Sequence, residues 1–212
     1  MKPYYQDDSV TIYNCRCEDI LEELPKFVVE KTKTVCITDP PYGIGAGLEK
    51  EHNGWKDYGK SKWDKNRPDK YIFDIIRSCT DNQIIWGGNY FADLLPPSMG
   101  WLSWDKGQRD FSLADFELAW TSWQRASRCF VYSRAKSLQD VKQHPTQKSL
   151  SLMKWCIELS GDYETILDPF AGSCTTGRAA KDLNRKCICI ECEEKYAEVG
   201  AKRMCQEVMN FN

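Results

Sequence analysis

Thr165-Ile166-Leu167-Asp168-Pro169-Phe170-Ala171-Gly172-Ser173-Cys174-Thr175-Thr176-Gly177 is the stretch that decides the fold. A short β-rich apolar run ends at Asp168, small residues turn the chain, and the pattern from Ser173 to Leu183 is helical. Outward from this strand–turn–helix unit the alternation repeats. C-terminally, Lys186 to Ile190 predicts a strand and Glu193 to Val208 a final helix. N-terminally, Leu150 to Leu159 predicts a helix that starts after Pro145 and stops at Gly161. Farther out, Val10 to Tyr13, Thr34 to Thr38 and Ile84 to Trp86 predict strands, and Met99 to Trp104 and Phe116 to Thr121 add two more. An acidic amphipathic stretch spans Cys17 to Leu24, and Tyr71, Ile72, Ile75 and Ile76 have helical spacing. Strands alternating with helices predict an α/β fold: one doubly wound, mostly parallel sheet. With 212 residues, no internal repeat and no linker, residues 1–212 read as a single domain.

The composition excludes several classes. Hydrophobic residues are 42% and charged residues 28%, a globular balance rather than a disordered one. No apolar run approaches the roughly 20 residues of a membrane helix, and Met1 to Asp8 has no signal-peptide core. The expectation is a cytoplasmic protein that does not contact membrane. Eleven cysteines, an odd number, then read as free thiols. Cys187, Cys189 and Cys192 lack zinc spacing, and Cys187-Ile188-Cys189-Ile190 alternates as a buried strand does, so no metal is expected.

In open α/β sheets, ligands bind beyond the carboxyl ends of the strands. The turn after Asp168 lets a ligand approach the backbone closely, and the helix that follows offers free N–H groups. It lacks the Gly-Lys-Ser/Thr of a P-loop and the Gly-x-Gly-x-x-Gly of dinucleotide sites. The next strand ends at Glu191, placed to accept hydrogen bonds from ribose hydroxyls. A nucleoside cofactor bearing a carboxylate, such as S-adenosylmethionine, fits both ends. The bland alternative is a plain turn with Ser173 as helix cap.

A second strand end reads Thr38-Asp39-Pro40-Pro41-Tyr42-Gly43. Two prolines remove two N–H donors, leaving the Asp39 carboxylate and the Pro40 carbonyl as acceptors beside the flat Tyr42 ring. Such a site suits an exocyclic amino group on an aromatic base. Its two N–H groups can meet two fixed acceptors, which stabilise charge developing on nitrogen. Tyr42 can stack on a base that has left the duplex. The bland alternative is a proline-rich turn capped by aspartate.

Together, Asp39-Pro40-Pro41-Tyr42 and Asp168-Pro169-Phe170-Ala171-Gly172-Ser173 resemble the amino-group DNA methyltransferases of bacteria and phages, which methylate adenine N6 or cytosine N4. His144-Pro145-Thr146-Gln147-Lys148 is a third match, and Ile84-Ile85-Trp86-Gly87-Gly88-Asn89-Tyr90 is similar to short phage members. The motif with Asp39 precedes the cofactor motif, as in the permuted β class, and the likeness runs from about Ile12 to Met204. It implies a Rossmann-like S-adenosylmethionine-dependent fold with permuted motif order, and base flipping before direct in-line transfer. Asp39, Pro40 and Pro41 would frame the target amino group, with Tyr42 against the base. Asp168, Phe170, Gly172, Ser173 and Thr175 would line the cofactor pocket, and Glu191 would hold the ribose. Thr146 and Lys148 would lie near the methionine end. Cys174 stands where the family usually has glycine, which threatens to crowd the cofactor, and Ser149 stands where proline is common. Resembling enzymes are often dimers, so a homodimer is a further expectation.

Aspartate as the first residue of the tetrapeptide favours adenine N6 in the resembling family, with cytosine N4 as the alternative. Cytosine C5 chemistry is disfavoured because no proline is followed by cysteine. A non-catalytic nucleic-acid-binding module with a degenerate cofactor pocket is the reading from another class.

Two regions are expected to meet DNA. The aperiodic stretch 43–68 leaves the Asp39 motif directly and reads as a mobile loop, with Lys56, Lys60, Lys62 and Arg67 touching phosphates. Thr121 to Trp155 carries seven basic residues, among them Arg125 and Arg128, against the single acid Asp140. That is a local +6 on a chain of net −2, a pattern that fits either a basic nucleic-acid face or an ordinary solvated one. Residues 101–143 read as a reduced target-recognition region.

Overall fold

A computed structural model describes residues 1–20, 23, 30–45, 64–109, 114–133 and 147–206. Nine strands form one sheet in the order β1-β2-β9-β8-β3-β4-β6-β5-β7. They are β1 (Tyr5–Gln6), β2 (Val10–Asn14), β3 (Thr34–Thr38), β4 (Asn82–Trp86), β5 (Trp101–Asp105), β6 (Phe116–Thr121), β7 (Arg128–Val131), β8 (Thr165–Asp168) and β9 (Lys186–Glu191). The central block β2-β9-β8-β3-β4 is parallel throughout. β1 adds to one side antiparallel, and β6 and β5 add to the other antiparallel to their neighbours, while β7 runs parallel to β5. The expected doubly wound, mostly parallel sheet is present.

The helices are α1 (Cys17–Ile20), α2 (Lys70–Cys79), α3 (Leu150–Ser160), α4 (Thr175–Asp182) and α5 (Glu194–Met204). Alternation along each strand sends side chains to both faces. Val35 and Ile37 of β3, Ile166 of β8 and Cys187 and Cys189 of β9 join Leu152, Met153, Ala179, Ala180 and Ala197 in one core, beneath α3, α4 and α5. Cys36, Leu167 and Ile190 face the other way, against Ile20 of α1 and Ile72 and Ile76 of α2. Ser149 caps α3 by accepting from the Leu152 N–H at 3.2 Å, and Gly161 ends the helix. Among the described residues no helix is long and apolar enough to cross a membrane, and no cluster of three or more metal-ligating side chains occurs.

The connection from β3 through α2 leads to β4 on one side, and that from β8 through α4 leads to β9 on the other. The strand order therefore reverses between β3 and β8, and the crevice beyond their carboxyl ends is the expected ligand position. The Thr38 hydroxyl donates to Asp168 Oδ1 at 2.7 Å, tying these two ends together.

Two features depart from the sequence reading. β1 and β7 are additional strands. α4 begins at Thr175, with Cys174 rather than Ser173 at the cap. Within the described part of 101–143 lie β5, β6 and β7. Residues 46–63, which hold Lys56, Lys60 and Lys62, and residues 134–146, which hold His144 and Thr146, lie outside the described residues.

Candidate active site

Both strand-end motifs open on one cavity of about 660 Å³, lined by Asp39, Pro41, Lys148, Asp168, Ser173 and Glu191 among others. That volume lies within the roughly 300–1,000 Å³ usual for small-molecule sites. Phe170, Gly172 and Thr175 also border it, whereas Cys174 does not.

The half of the cavity formed by β8 and β9 is built from backbone and carboxylates. Glu191 Oε2 accepts from Gly172 N and Oε1 from Glu193 N, both at 2.7 Å. The turn after β8 and the start of α5 are thus hung on one side chain. Burial pushes the Glu191 carboxyl up to about 7 despite those two donors. Asp168, wholly enclosed, accepts from Thr38 and from Phe170 N at 3.2 Å, and burial pushes it up to about 6. The Ser173 hydroxyl donates to Gln147 Oε1 at 2.9 Å. Arg203 of α5 donates to the Ser173 carbonyl at 2.9 Å and to Thr175 Oγ1 at 3.1 Å, fixing the turn from behind.

Cys174 adopts φ +55, ψ 41, the left-handed conformation that the usual glycine would adopt freely. Its thiol points away from the cavity, toward α5, where Gly200 leaves room for it. A Cβ on Gly200 would overlap the Cys174 sulfur and stand 2.9 Å from its Cβ. The expected crowding of the cofactor is thereby relieved: the side chain is absorbed by the core.

At the other half, Asp39 is engaged on both oxygens. Tyr42 OH donates to Oδ1 at 2.5 Å, and Lys148 Nζ lies 2.5 Å from Oδ2. Lys148 is only 6% exposed and also lies 3.1 Å from Glu117 Oε2, while Glu117 pairs with Lys106 at 2.6 Å. Burial opposes the Lys148 charge, but carboxylates on both sides outweigh it and hold the ammonium well above the usual lysine range. Burial also raises Glu117, and the two lysines more than reverse that, bringing it down to about 2. Asp39 is raised by burial, which exceeds the opposing pull of Lys148. Lys148 was expected beside the methionine end of a cofactor; its contacts are with Asp39, Tyr42 and Glu117, although it does border the shared cavity.

Tyr42 stacks on Tyr90, with ring centroids 4.6 Å apart and planes 14° from parallel. Gly87, at φ +71, lies so close that a Cβ there would overlap the Tyr42 ring. Glycine at 87 is required both by its backbone angle and by this approach. Pro40 is buried and Pro41 partly buried.

The described basic residues do not converge. Arg67 pairs with both oxygens of Asp93, at 2.8 and 2.9 Å, and donates to the Tyr90 carbonyl at 2.5 Å, at the edge of the cavity. Arg125 follows β6 and Arg128 begins β7, and the strand register puts both at the end of the sheet opposite Asp39. Arg125 lies 3.9 Å above the Trp123 ring and donates to the Leu159 carbonyl. Of the basic residues in 121–155 that are described, Lys148 is internal, Lys154 pairs with Asp182, and the two arginines lie at the far end; Arg134, Lys136 and Lys142 lie outside the described residues. Residues not foreseen include Asp64, which accepts from Gly43 N at 2.9 Å through its side chain and from Gly45 N through its carbonyl. Glu117, Tyr90, Gln147 and Arg203 are further examples.

A family model described as DNA methylase, of the N6/N4 methyltransferases, matches residues 80–202. The chain belongs to this DNA methylase family. The match begins ahead of β4 and runs through the cofactor-side turn to α5. The DNA adenine methyltransferase YhdJ of Escherichia coli K12 is 41% identical, over 88% of this chain and 80% of its own length. The type II methyltransferase M2.MboI of Moraxella bovis is 26% identical, over 96% of this chain and 91% of its own. A crystal structure of an M1.HpyAVI–SAM complex matches with a TM-score of 0.60 at 23% identity, covering 93% of this chain and all of that one. Outside the matched 80–202 lies Asp39-Pro40-Pro41-Tyr42, of which Asp39 and Pro41 line the same cavity while the Tyr42 ring stacks on Tyr90.

Proposed function

We infer that this protein transfers a methyl group from S-adenosylmethionine to the N6 amino group of adenine in DNA. The observation that carries the reading is the shared cavity, with Asp39 and Pro41 of the Asp-Pro-Pro-Tyr turn on one wall and a cofactor-type turn with its acidic partner on the other. The chain's kinship with adenine-specific YhdJ and the aspartate that opens the tetrapeptide both favour adenine over cytosine.

The donor set fits such a cofactor. Glu191 Oε1 accepts from Glu193 N and Cys192 Sγ, whereas Oε2 accepts from Gly172 N and retains a lone pair for a ribose hydroxyl, and Ser173 and Thr175 bring hydroxyls to the cavity at the start of α4. When bound, the cofactor supplies an electrophilic methyl on a positively charged sulfur. Asp39 and the Pro40 carbonyl accept the two N–H groups of the base, localising the nitrogen lone pair for attack. The N–C bond forms as the S–C bond breaks, with that electron pair remaining on sulfur. The surplus proton on nitrogen passes to the Asp39 carboxylate and on to water. Tyr42 offers a face to the base, which must leave the duplex to reach the cavity. Arg67, which borders the cavity, and Lys56, Lys60 and Lys62 remain candidate phosphate contacts. A homodimer and a cytoplasmic location complete the reading.

The test is product identification. Wild type and Asp39→Ala are incubated with S-adenosylmethionine and unmethylated DNA, which is digested to nucleosides for mass spectrometry. N6-methyladenine from wild type only is the expected result. N4-methylcytosine would correct the base, and no product on DNA or RNA would overturn the reading in favour of a binding module.

A further inference from the structure

Four side chains form a chain of alternating charge that ends at the site: Lys106, Glu117, Lys148 and Asp39, with successive separations of 2.6, 3.1 and 2.5 Å. Each link comes from a different part of the fold. Lys106 follows β5, Glu117 lies on β6, Lys148 precedes α3 and Asp39 follows β3. The lysines are further held by aromatic faces, Lys106 5.3 Å from the Trp104 centroid and Lys148 5.7 Å from those of Tyr42 and Trp86. Glu117 belongs to neither motif that points to the cavity.

A buried lysine paired with Asp39 alone works against the proposed chemistry, because a cation beside the acceptor repels the positive charge growing on the amino nitrogen. A second carboxylate on the same ammonium changes the balance. Asp39 and Glu117 together outweigh Lys148, and the compensating Lys106 stands one link farther away. We propose that Glu117 is a positioning residue for methyl transfer, which shares the Lys148 ammonium with Asp39 so that this cation does not cancel the negative potential met by the target amino group. The inference rests on the methyltransferase reading above and deepens it. The charged and titratable groups around Asp39 are Tyr42 from its own loop, Lys148, Glu117, and Asp168 at the end of β8, with Lys106 behind Glu117.

The two flanking substitutions act in opposite directions. Glu117→Gln removes a negative charge and lowers the Asp39 pKa; Lys106→Met removes a positive one and raises it. Carbon-13 NMR of aspartate-labelled protein, with Asp39→Asn to assign the resonance, reads this directly. Shifts of about one pH unit in those opposite senses are expected. In Glu117→Gln, kcat should fall about tenfold, with its acid limb moved to lower pH and S-adenosylmethionine affinity within about twofold of wild type. Glu117→Asp should restore the limb. A residue serving only to pack β6 would lower stability and leave the Asp39 titration in place. An Asp39 titration that is unmoved, or moved the same way in both variants, overturns the proposal whatever the activity. Opposite shifts in a protein that methylates nothing would keep the charge chain and reject the reaction.

Discussion

Gly200→Ala should change sign with the residue at position 174. In wild type, the added Cβ meets the Cys174 sulfur and stands 2.9 Å from Cys174 Cβ and 3.3 Å from Ile12 Cδ1. Turning the thiol aside does not relieve the Cβ contact, and the left-handed backbone at 174 has little freedom to yield. Overpacking of this kind costs about 1–3 kcal/mol. Against it stands the helix preference of alanine over glycine, about 0.8–1.0 kcal/mol within α5. The net expectation is destabilisation of up to about 2 kcal/mol, a Tm lower by about 4–8 °C at the upper limit for a chain of this size. In a Cys174→Gly background the clash is gone, and Gly200→Ala should instead stabilise by about 1 kcal/mol. Urea unfolding of the four proteins in the cycle gives the coupling energy, expected at about 1–3 kcal/mol. Equal effects of Gly200→Ala in both backgrounds would refute the idea that Gly200 is the space into which Cys174 fits.

Two further outcomes follow from the site. Glu191 is held near pH 7 by burial, and the ionised form is the better acceptor for ribose hydroxyls, so S-adenosylmethionine binding should tighten as pH rises from 6 to 8. Glu191→Gln should remove that part of the pH dependence in calorimetric titrations, and an unchanged profile would dissociate Glu191 from the cofactor. Without cofactor the sign reverses: a carboxyl raised in the fold binds its proton more tightly there than in the unfolded chain, so its contribution to stability falls as pH climbs from about 4.5 toward 7. Arg125→Glu with Arg128→Glu should leave DNA affinity within about twofold at moderate salt, because both lie at the far end of the sheet. A steep loss in a filter-binding or anisotropy assay would place DNA across that end.

The sheet and its catalytic edge were legible because their signals are local. A strand that stops at Asp168 before small residues, or at Asp39 before two prolines, announces itself within six residues. Short or weak elements were not: β1 has two residues, and Arg128-Cys129-Phe130-Val131 carries a charge that drew attention to its basicity rather than its strand pattern. The site residues missed are those whose meaning lies in distant partners. Glu117 reads as one acid in a strand until Lys106 and Lys148 are beside it. Gly200 reads as a weak point in a helix until Cys174 is found against it. For the basic stretch a charge count takes no account of direction: of its described members, Arg125 and Arg128 lie at one end of the sheet and Lys148 is internal beside Asp39.

Asp64 joins Gly43 and Gly45 to the chain that returns from residues 46–63. The two described ends that flank 46–63 are thus held together, close to the catalytic end of the sheet. Lengthening the chain between them is inexpensive, since doubling a closed loop costs only about 0.6 kcal/mol in chain entropy. Evolution, or an engineer, can therefore vary the length of chain between these joined ends at little cost to Asp39 and the sheet beneath.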